Sequence, residues 1–167
     1  KIKEILNISP QETAIAPNLT VKENLEFMAG VYRIKDKDKK INELIKMFKL
    51  DEVLNKRSKT LSGGWQRKVS IAISLINDPK ILFLDEPTLG LDVIARHELW
   101  DMIRTLKGKI TIILTTHYME EAEALSDRIG IMRSGSLLAV GTAEELKQRA
   151  NAKDFETAFV SIVKEGA

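Results

Sequence analysis

The sequence has 167 residues, 44% of them hydrophobic and 30% charged, with 26 Lys and Arg against 24 Asp and Glu for a formal net charge of +2. That size and mix describe one globular domain able to hide roughly 70% of its unfolded surface, and a balance so near zero makes no electrostatic case for nucleic acid or an anionic membrane. The absence of cysteine excludes disulfide scaffolds, zinc–thiolate sites and cysteine nucleophiles.

No apolar run approaches the roughly 18 residues of a membrane span. The start, Lys1-Ile2-Lys3-Glu4, lacks a signal-peptide apolar stretch, which favours a cytoplasmic address. Ile5–Ile8 reads as a strand, followed by a loop to Leu19 that holds Pro10 and Pro17. Thr20-Val21-Lys22-Glu23 is a capping box, so a helix to about Tyr32 should follow. The alternating Lys and Asp of residues 35–40 read as a solvated loop. Ile41, Leu44, Ile45 and Phe48 fall at helical spacing, and Asp51–Lys56 reads as one further short helix. Ser62 can cap a helix running to about Asn77, and Pro79 prevents its continuation. Ile81–Leu84 is short, fully apolar and ends in Asp85-Glu86-Pro87, as suits a strand buried on both faces of a parallel sheet. Asp92 starts an amphipathic helix to about Lys107, and Ile110–Leu114 is a second buried strand, so a right-handed crossover is implied. Tyr118–Leu125 reads as helix, and Arg128–Met132 with Leu137–Val140 as a hairpin turned at Arg133-Ser134-Gly135-Ser136. Thr142-Ala143-Glu144-Glu145 is a second capping box, before a tail that is helical to about Lys164. The fold class expected from this order is α/β, with helices around a mostly parallel sheet.

Three constellations could carry chemistry. Asp85 and Glu86 stand at the C-terminal end of an apolar strand, the edge where parallel sheets bind ligands. Neighbours on a strand point to opposite faces, so one carboxylate could hold a hydrated Mg²⁺ and the other orient or deprotonate a water. The plain alternative is an acidic pair that caps its loop. Leu61-Ser62-Gly63-Gly64 opens a long helix, where glycines admit a close ligand and the helix N-terminus favours an anion. Its plain alternative is ordinary capping by Ser62. Thr115-Thr116-His117 follows the second strand, and its histidine can donate to a phosphate or serve only structure. His97, between Arg96 and Glu98, reads as a surface residue.

Together these residues resemble the nucleotide-binding domain of ABC transporters. The signature-like Leu61-Ser62-Gly63-Gly64-Trp65-Gln66-Arg67, the Walker B-like Ile81-Leu82-Phe83-Leu84-Asp85-Glu86-Pro87, the D-loop-like Gly90-Leu91-Asp92, the switch histidine His117 and the glutamine-loop-like Ser9-Pro10-Gln11-Glu12 carry the likeness. Order and spacing match from Gln11 to about Leu146. The resemblance implies a P-loop NTPase-like fold and the cofactors ATP and Mg²⁺. Asp85 would hold Mg²⁺ through water, Glu86 would be the general base, and Gln11 would touch the metal or the attacking water. His117 would contact the γ-phosphate. Ser62, Gly63 and Gly64 would clamp ATP bound to an opposite subunit, and Asp92 would communicate across that dimer interface. The implied parts are a glutamine-loop segment (1–19), a helical subdomain (20–60), the signature, Walker B, D-loop and H-loop part (61–150), and a helical tail (151–167). The implied partners are a transmembrane permease subunit docking on the helical subdomain and a second nucleotide-binding domain, a copy of this one, with no nucleic acid. The location would be peripheral on the inner face of the cell membrane. Thr115–Glu123 and the tail motif Asp154-Phe155-Glu156-Thr157-Ala158-Phe159 are most similar to exporters of drugs, lipids or polysaccharides. Trp65 departs from the family, which usually has Gln there.

One motif is missing. A phosphate-cradling loop needs G-x-x-x-x-G-K-[ST], and the only Gly-Lys pair here, Gly108-Lys109, is followed by Ile110. The expectation is therefore an incomplete domain, without the Walker A part, that hydrolyses essentially no ATP alone and exposes apolar sheet surface. The competing readings are a soluble ABC-type ATPase acting on chromosomes or ribosomes, and a non-enzymatic partner-binding fragment. Gln11 to Ser62 is 51 positions, too short for the long coiled coil of chromosome-acting relatives.

Overall fold

The computed structural model describes residues 5–166, so the start Lys1–Glu4, read above for targeting, lies outside the described residues. The chain forms two compact units, one ending at Thr115 and one beginning at Thr116.

The first unit runs β1 (Leu6–Ser9), α1 (Val21–Val31), α2 (Lys37–Phe48), 3-10 turns at Leu50–Val53 and Ser58–Thr60, α3 (Gly63–Ser74), β2 (Ile81–Asp85), α4 (Val93–Leu106) and β3 (Thr111–Thr115). Its three strands are all parallel in the order β1-β2-β3, with Ile8 opposite Phe83 and Phe83 opposite Ile113. α4 makes the β2-to-β3 crossover, and the helical subdomain with α3 makes the longer one from β1 to β2.

α1 starts as its capping box dictates. The Glu23 N–H donates to Thr20 Oγ1 at 3.2 Å, and the Thr20 N–H donates to Glu23 Oε2 at 2.7 Å. α2 begins at Lys37, inside the stretch expected to be a loop. Its first turn is Lys and Asp in solvent, so no apolar period marks it, yet the Lys40 N–H already donates to the Asp36 carbonyl at 3.0 Å. The short helix expected over Asp51–Lys56 is instead the 3-10 turn at Leu50–Val53, which follows the left-handed Lys49 at φ 52°. Val21, Leu25, Leu44, Phe48, Leu50 and Val53 form the buried centre of this subdomain.

The subdomain is closed at a neck where the outgoing and returning chains run antiparallel. The Val21 N–H donates to Lys56 O (3.1 Å), and Ser58 N–H to Leu19 O (2.9 Å). Asn24, only 2% exposed, knots this neck: its amide donates to the carbonyls of Ala16 and Thr20 and to Ser58 Oγ, while Oδ1 accepts from the Ala16 N–H at 2.8 Å. A buried side-chain amide is kept because nearly every one of its polar atoms is paired.

The sheet departs from the expectation of strands buried on both faces. Leu82 and Leu84 of β2 are buried, but Ile81 and Phe83 are half-buried, and the row they share shows Ile8 at 53% and Ile113 at 44% exposure. The elements of this unit cover one face of the sheet and leave an apolar row open on the other. Parallel sheets are normally covered on both faces. The chain is therefore expected to exceed monomer mass in light scattering at micromolar concentration, and a monodisperse monomer contradicts this.

The second unit runs α5 (Met119–Leu125), β4 (Ile129–Arg133), β5 (Ser136–Gly141), α6 (Ala143–Arg149) and α7 (Phe155–Glu165). Its hairpin turns at Ser134 and Gly135, both at positive φ (48° and 80°), the backbone that a two-residue hairpin loop requires. Ile131, Leu146, Phe155 and Ile162 form its core. Thr142 caps α6 through the predicted box. The helical tail is interrupted after Arg149 and restarts at Asp154, whose Oδ1 accepts from the Thr157 N–H at 2.8 Å.

These caps make stability depend on pH. The Thr20 backbone N–H, then its hydroxyl, hold the Glu23 carboxyl below its ordinary value of 4.5. The Thr157 N–H and hydroxyl hold Asp154 below its ordinary 3.8. A lowered folded pKa contributes stability that is full above the ordinary value and lost as pH falls through the folded one. Between about pH 5 and pH 2 the melting temperature should fall more steeply for the native chain than for the Glu23→Gln, Asp154→Asn double variant. Parallel curves by circular dichroism contradict this.

Candidate functional site

Asp85 is the last residue of β2 and lies opposite Thr115 at the end of β3. The Thr115 hydroxyl donates to Asp85 Oδ1 at 2.5 Å and fixes that carboxylate. Glu86 follows in the left-handed region, at φ 46°. That conformation is costly for a residue with a Cβ and persists only where the surroundings over-determine it. Here both sides of the residue are held. The Glu86 N–H donates to the Thr115 carbonyl at 3.1 Å and to its hydroxyl at 3.3 Å. The Glu86 carbonyl accepts from the Leu89 N–H and from Arg67 Nη2, each at 3.2 Å. The two-role expectation rested on strand alternation, but the strand stops at Asp85, and a left-handed turn, not the pleat, sets the direction of Glu86.

Arg67, on α3 and 4% exposed, is the hub of this edge. Its Nη1 donates to the Pro10 carbonyl and its Nη2 to the Gln11 carbonyl, both at 2.6 Å, besides the bond to Glu86. One guanidinium thus fastens the Gln11 loop and the Glu86 turn to the helix that the signature-like segment opens. Such charge-assisted, forked bonds are stronger than neutral ones. The loop is anchored from its other side by Ser9, whose Oγ lies 3.1 Å from Ser70 Oγ in buried surroundings. The Gln11 side chain stays exposed.

A second group of residues gathers at the start of α3. Ser62 sits at the N-cap with extended backbone, but its hydroxyl makes no capping hydrogen bond, so ordinary capping does not describe it. A Cβ on Gly64 would lie 3.2 Å from the Ala95 Cβ, and one on Gly63 would lie 4.0 Å from Leu91 Cδ2. Gly64 therefore lets α3 approach Ala95 closely, while a Cβ on Gly63 would make only ordinary contact. Asp92 caps α4, accepting the Ala95 N–H at 2.9 Å, and the next two residues, Val93 and Ile94, are 65% and 74% exposed. Trp65, the departure from the family pattern, lies under Lys68 Nζ at 4.5 Å, and Lys68 is paired with Glu98 of α4 at 2.6 Å. The unusual residue adds a cation–π contact to the α3–α4 junction.

The first unit thus joins Gln11, Arg67, Asp85, Glu86 and Thr115 in one group, and Ser62, Gly63, Gly64 and Asp92 in another. His117 belongs to the second unit, exposed, with its ring 4.2 Å from that of Tyr118. His97 is exposed and edge-on to Trp100, the surface residue expected. Among the described residues no three His, Asp or Glu gather into a metal cage. The donors at the β2 end instead suit an ion that takes one or two carboxylates and keeps water or phosphate oxygens for the rest. Sequence reading missed Arg67 as an anchor, although it stands one helical turn before the buried Ile71, on the same face of α3. It also weighed His117 over Thr115, since a strand-end threonine carries no distinguishing mark.

The chain was compared with known proteins. The family profile described as ABC transporter matches residues 1–89. The chain is 43% identical over 155 residues to Phospholipid-transporting ATPase ABCA3 of Homo sapiens, covering 91% of this chain and 9% of that protein. It is 40% identical over 166 residues to ABC transporter A family member 2 of Arabidopsis thaliana, covering 97% of this chain and 16% of that protein. The chain therefore spans a small part of the relatives it matches. A solved ATP binding subunit of an ABC transporter superposes with a TM-score of 0.82 at 25% identity, over 96% of this chain and 69% of that one. No helix among the described residues is long and apolar enough to cross a membrane. Motifs, fold and relatives agree that the chain belongs to the ABC transporter family and carries the α/β fold of its ATP-binding subunit.

Proposed function

We propose that this chain supplies the hydrolytic edge and the signature segment of an ATP-driven exporter, with phospholipid-like cargo as the relatives' names suggest. The observation that carries this reading is the Arg67 fork, because it locks together, around Glu86, the loop and turn that such chemistry needs in fixed register. Glu86 accepts the proton of the water that attacks the γ-phosphorus, its backbone held by Thr115, Leu89 and Arg67. Asp85, braced by Thr115, and Gln11 would hold Mg²⁺, which supplies charge neutralisation at the phosphates when bound. His117 would donate to the γ-phosphate.

Ser62, Gly63 and Gly64 form a separate group from Asp85 and Glu86, which supports their acting on nucleotide held by a second copy. The exposed Val93 and Ile94 beside them offer that copy an apolar contact. Asp92 sits at the same contact. The helical subdomain would receive a transmembrane permease subunit, which places the chain against the inner face of the membrane. The test is hydrolysis by a fusion that supplies a G-x-x-x-x-G-K-[ST] segment ahead of Lys1. Activity that disappears with Glu86→Gln supports the reading, and activity indifferent to Glu86 contradicts it.

A further inference from the structure

A cleft of about 750 Å³ opens in the first unit. It lies where Lys80 and Thr111 lead into β2 and β3, at the opposite edge of the parallel sheet from Asp85, Thr115 and the Gln11 loop. Three pieces of chain make it. α2 contributes Lys40, Leu44 and Met47, spaced i, i+4 and i+7 on one helix face. The link from α3 to β2 contributes Leu75 and Pro79, and the link from α4 to β3 contributes Leu106 and Ile110. Leu44, Leu75, Pro79 and Leu106 are buried, so the cleft has an apolar floor, while Met47 is exposed beside it.

The polar lining is one-sided in charge. Lys40 is paired with Asp78, so those two charges cancel. Lys80 and Lys109 also line the cleft, both exposed, and among the described residues neither makes an ion pair. Two positive charges are therefore left uncompensated beside an apolar floor. The main chain of the two links has little left to offer an anion. The Lys80 N–H donates to the Ile5 carbonyl, those of Lys109 and Ile110 to Leu106, and that of Thr111 to Lys80. These amides form no nest for a phosphate. A Cβ on Gly108, next to Lys109, would meet nothing within 4 Å, so the link is uncrowded there.

We propose that this cleft binds the anion of a long-chain fatty acid. Small-molecule sites of about 300–1,000 Å³ are mostly apolar with a few placed polar groups, and this cleft has that size and make-up. The alkyl chain lies on Leu44, Leu75 and Leu106, and the flexible Met47 side chain adjusts over it. The carboxylate meets the ammonium groups of Lys80 and Lys109, which act as point charges. A neutral lipid would leave both ammoniums unused, and a phosphate monoester would seek amide donors that are already bonded. The inference goes beyond the transporter reading and is separable from it, since a free fatty acid requires neither nucleotide nor permease.

The test is calorimetric titration of the whole 167-residue chain with tetradecanoate below its micelle concentration. Saturable binding of one anion per chain is expected, weakening as salt is raised. Lys80→Glu with Lys109→Glu should weaken it by about tenfold or more, since two attractions become repulsions. Met47→Asp should weaken it by about as much from the apolar side. Melting curves should stay at the native value, because all three positions are exposed. Hexanoate, which lacks the long tail, and tetradecyltrimethylammonium, which reverses the charge, should each bind about tenfold or more weakly. Ile113→Ser, on the open sheet face, should bind like the native chain, which separates the cleft from general stickiness. Native-like binding by either cleft variant, equal binding of the cationic amphiphile, or tetradecyl phosphate binding more than about tenfold tighter than tetradecanoate would overturn the proposal. So would the absence of tetradecanoate binding together with a lower mass of the Lys80→Glu, Lys109→Glu variant in light scattering, which would mark a second copy as the occupant.

Discussion

Arg67→Ala should cost about 3 kcal/mol or more of folding stability, far above the effect of a surface substitution. The side chain is buried, and its removal takes the Arg67 bond from the carbonyls of Pro10 and Gln11 and one of two donors from the Glu86 carbonyl, which keeps the Leu89 N–H. A hydrogen bond to a charged group is worth about 1.5–3 kcal/mol, and three are lost together. Arg67→Lys should recover only part of the loss, because an ammonium on a flexible stem cannot fork to three fixed acceptors. Urea denaturation reads the magnitude. Amide exchange reads the location, and faster exchange should appear in the loop around Gln11 before the core strands. A loss under about 1 kcal/mol, or full rescue by Lys, would show that the three bonds do not hold this edge together.

Glu86→Gln should separate chemistry from architecture. The amide is nearly isosteric but takes no proton, so hydrolysis by the P-loop fusion should drop by about 10²–10⁴. Nucleotide affinity should hold. The turn at Glu86 is fixed by Thr115, Leu89 and Arg67 through its backbone, and those bonds do not use the carboxylate. Asp85→Asn should behave differently, because Asp85 Oδ1 is bonded to Thr115 and the same residue would hold the metal. Weaker Mg-nucleotide binding is expected there. Equal losses of binding and turnover in both variants would mean that the two carboxylates do not divide the work.

How much was readable in advance follows from what each residue had to compete with. The capping boxes at Thr20 and Thr142 are local, so four residues sufficed to place α1 and α6. The two-residue hairpin at Ser134-Gly135 is equally local. The start of α2 was illegible, because a first turn of exposed Lys and Asp has no apolar period and its bonding is purely main-chain. The open row Ile8–Phe83–Ile113 could not be read from the strands themselves, since a run of apolar residues looks alike whether one face or two are covered. The expectation of an open apolar face rested only on the absence of a G-x-x-x-x-G-K-[ST] segment. At the site, the motif residues were found by type and order. Arg67 and Thr115 were not, because their importance lies in which carbonyls and carboxylates they meet across 19 to 57 positions of chain, Glu86 being the nearest to Arg67 and Pro10 the farthest. Asn24 was hidden in the same way, its buried amide knotting a neck formed with residues near Ser58.

We propose a division within one catalytic domain, with Glu86 as base, Asp85 as metal carboxylate and Ser62–Gly64 as signature, while the 167 residues contain no G-x-x-x-x-G-K-[ST] cradle. Calorimetric titration of Mg-ATP tests it most directly, performed on the chain alone and on the fusion that adds a G-x-x-x-x-G-K-[ST] segment. The division predicts no micromolar binding by the chain alone and its appearance in the fusion. Micromolar affinity in the unfused chain would contradict it.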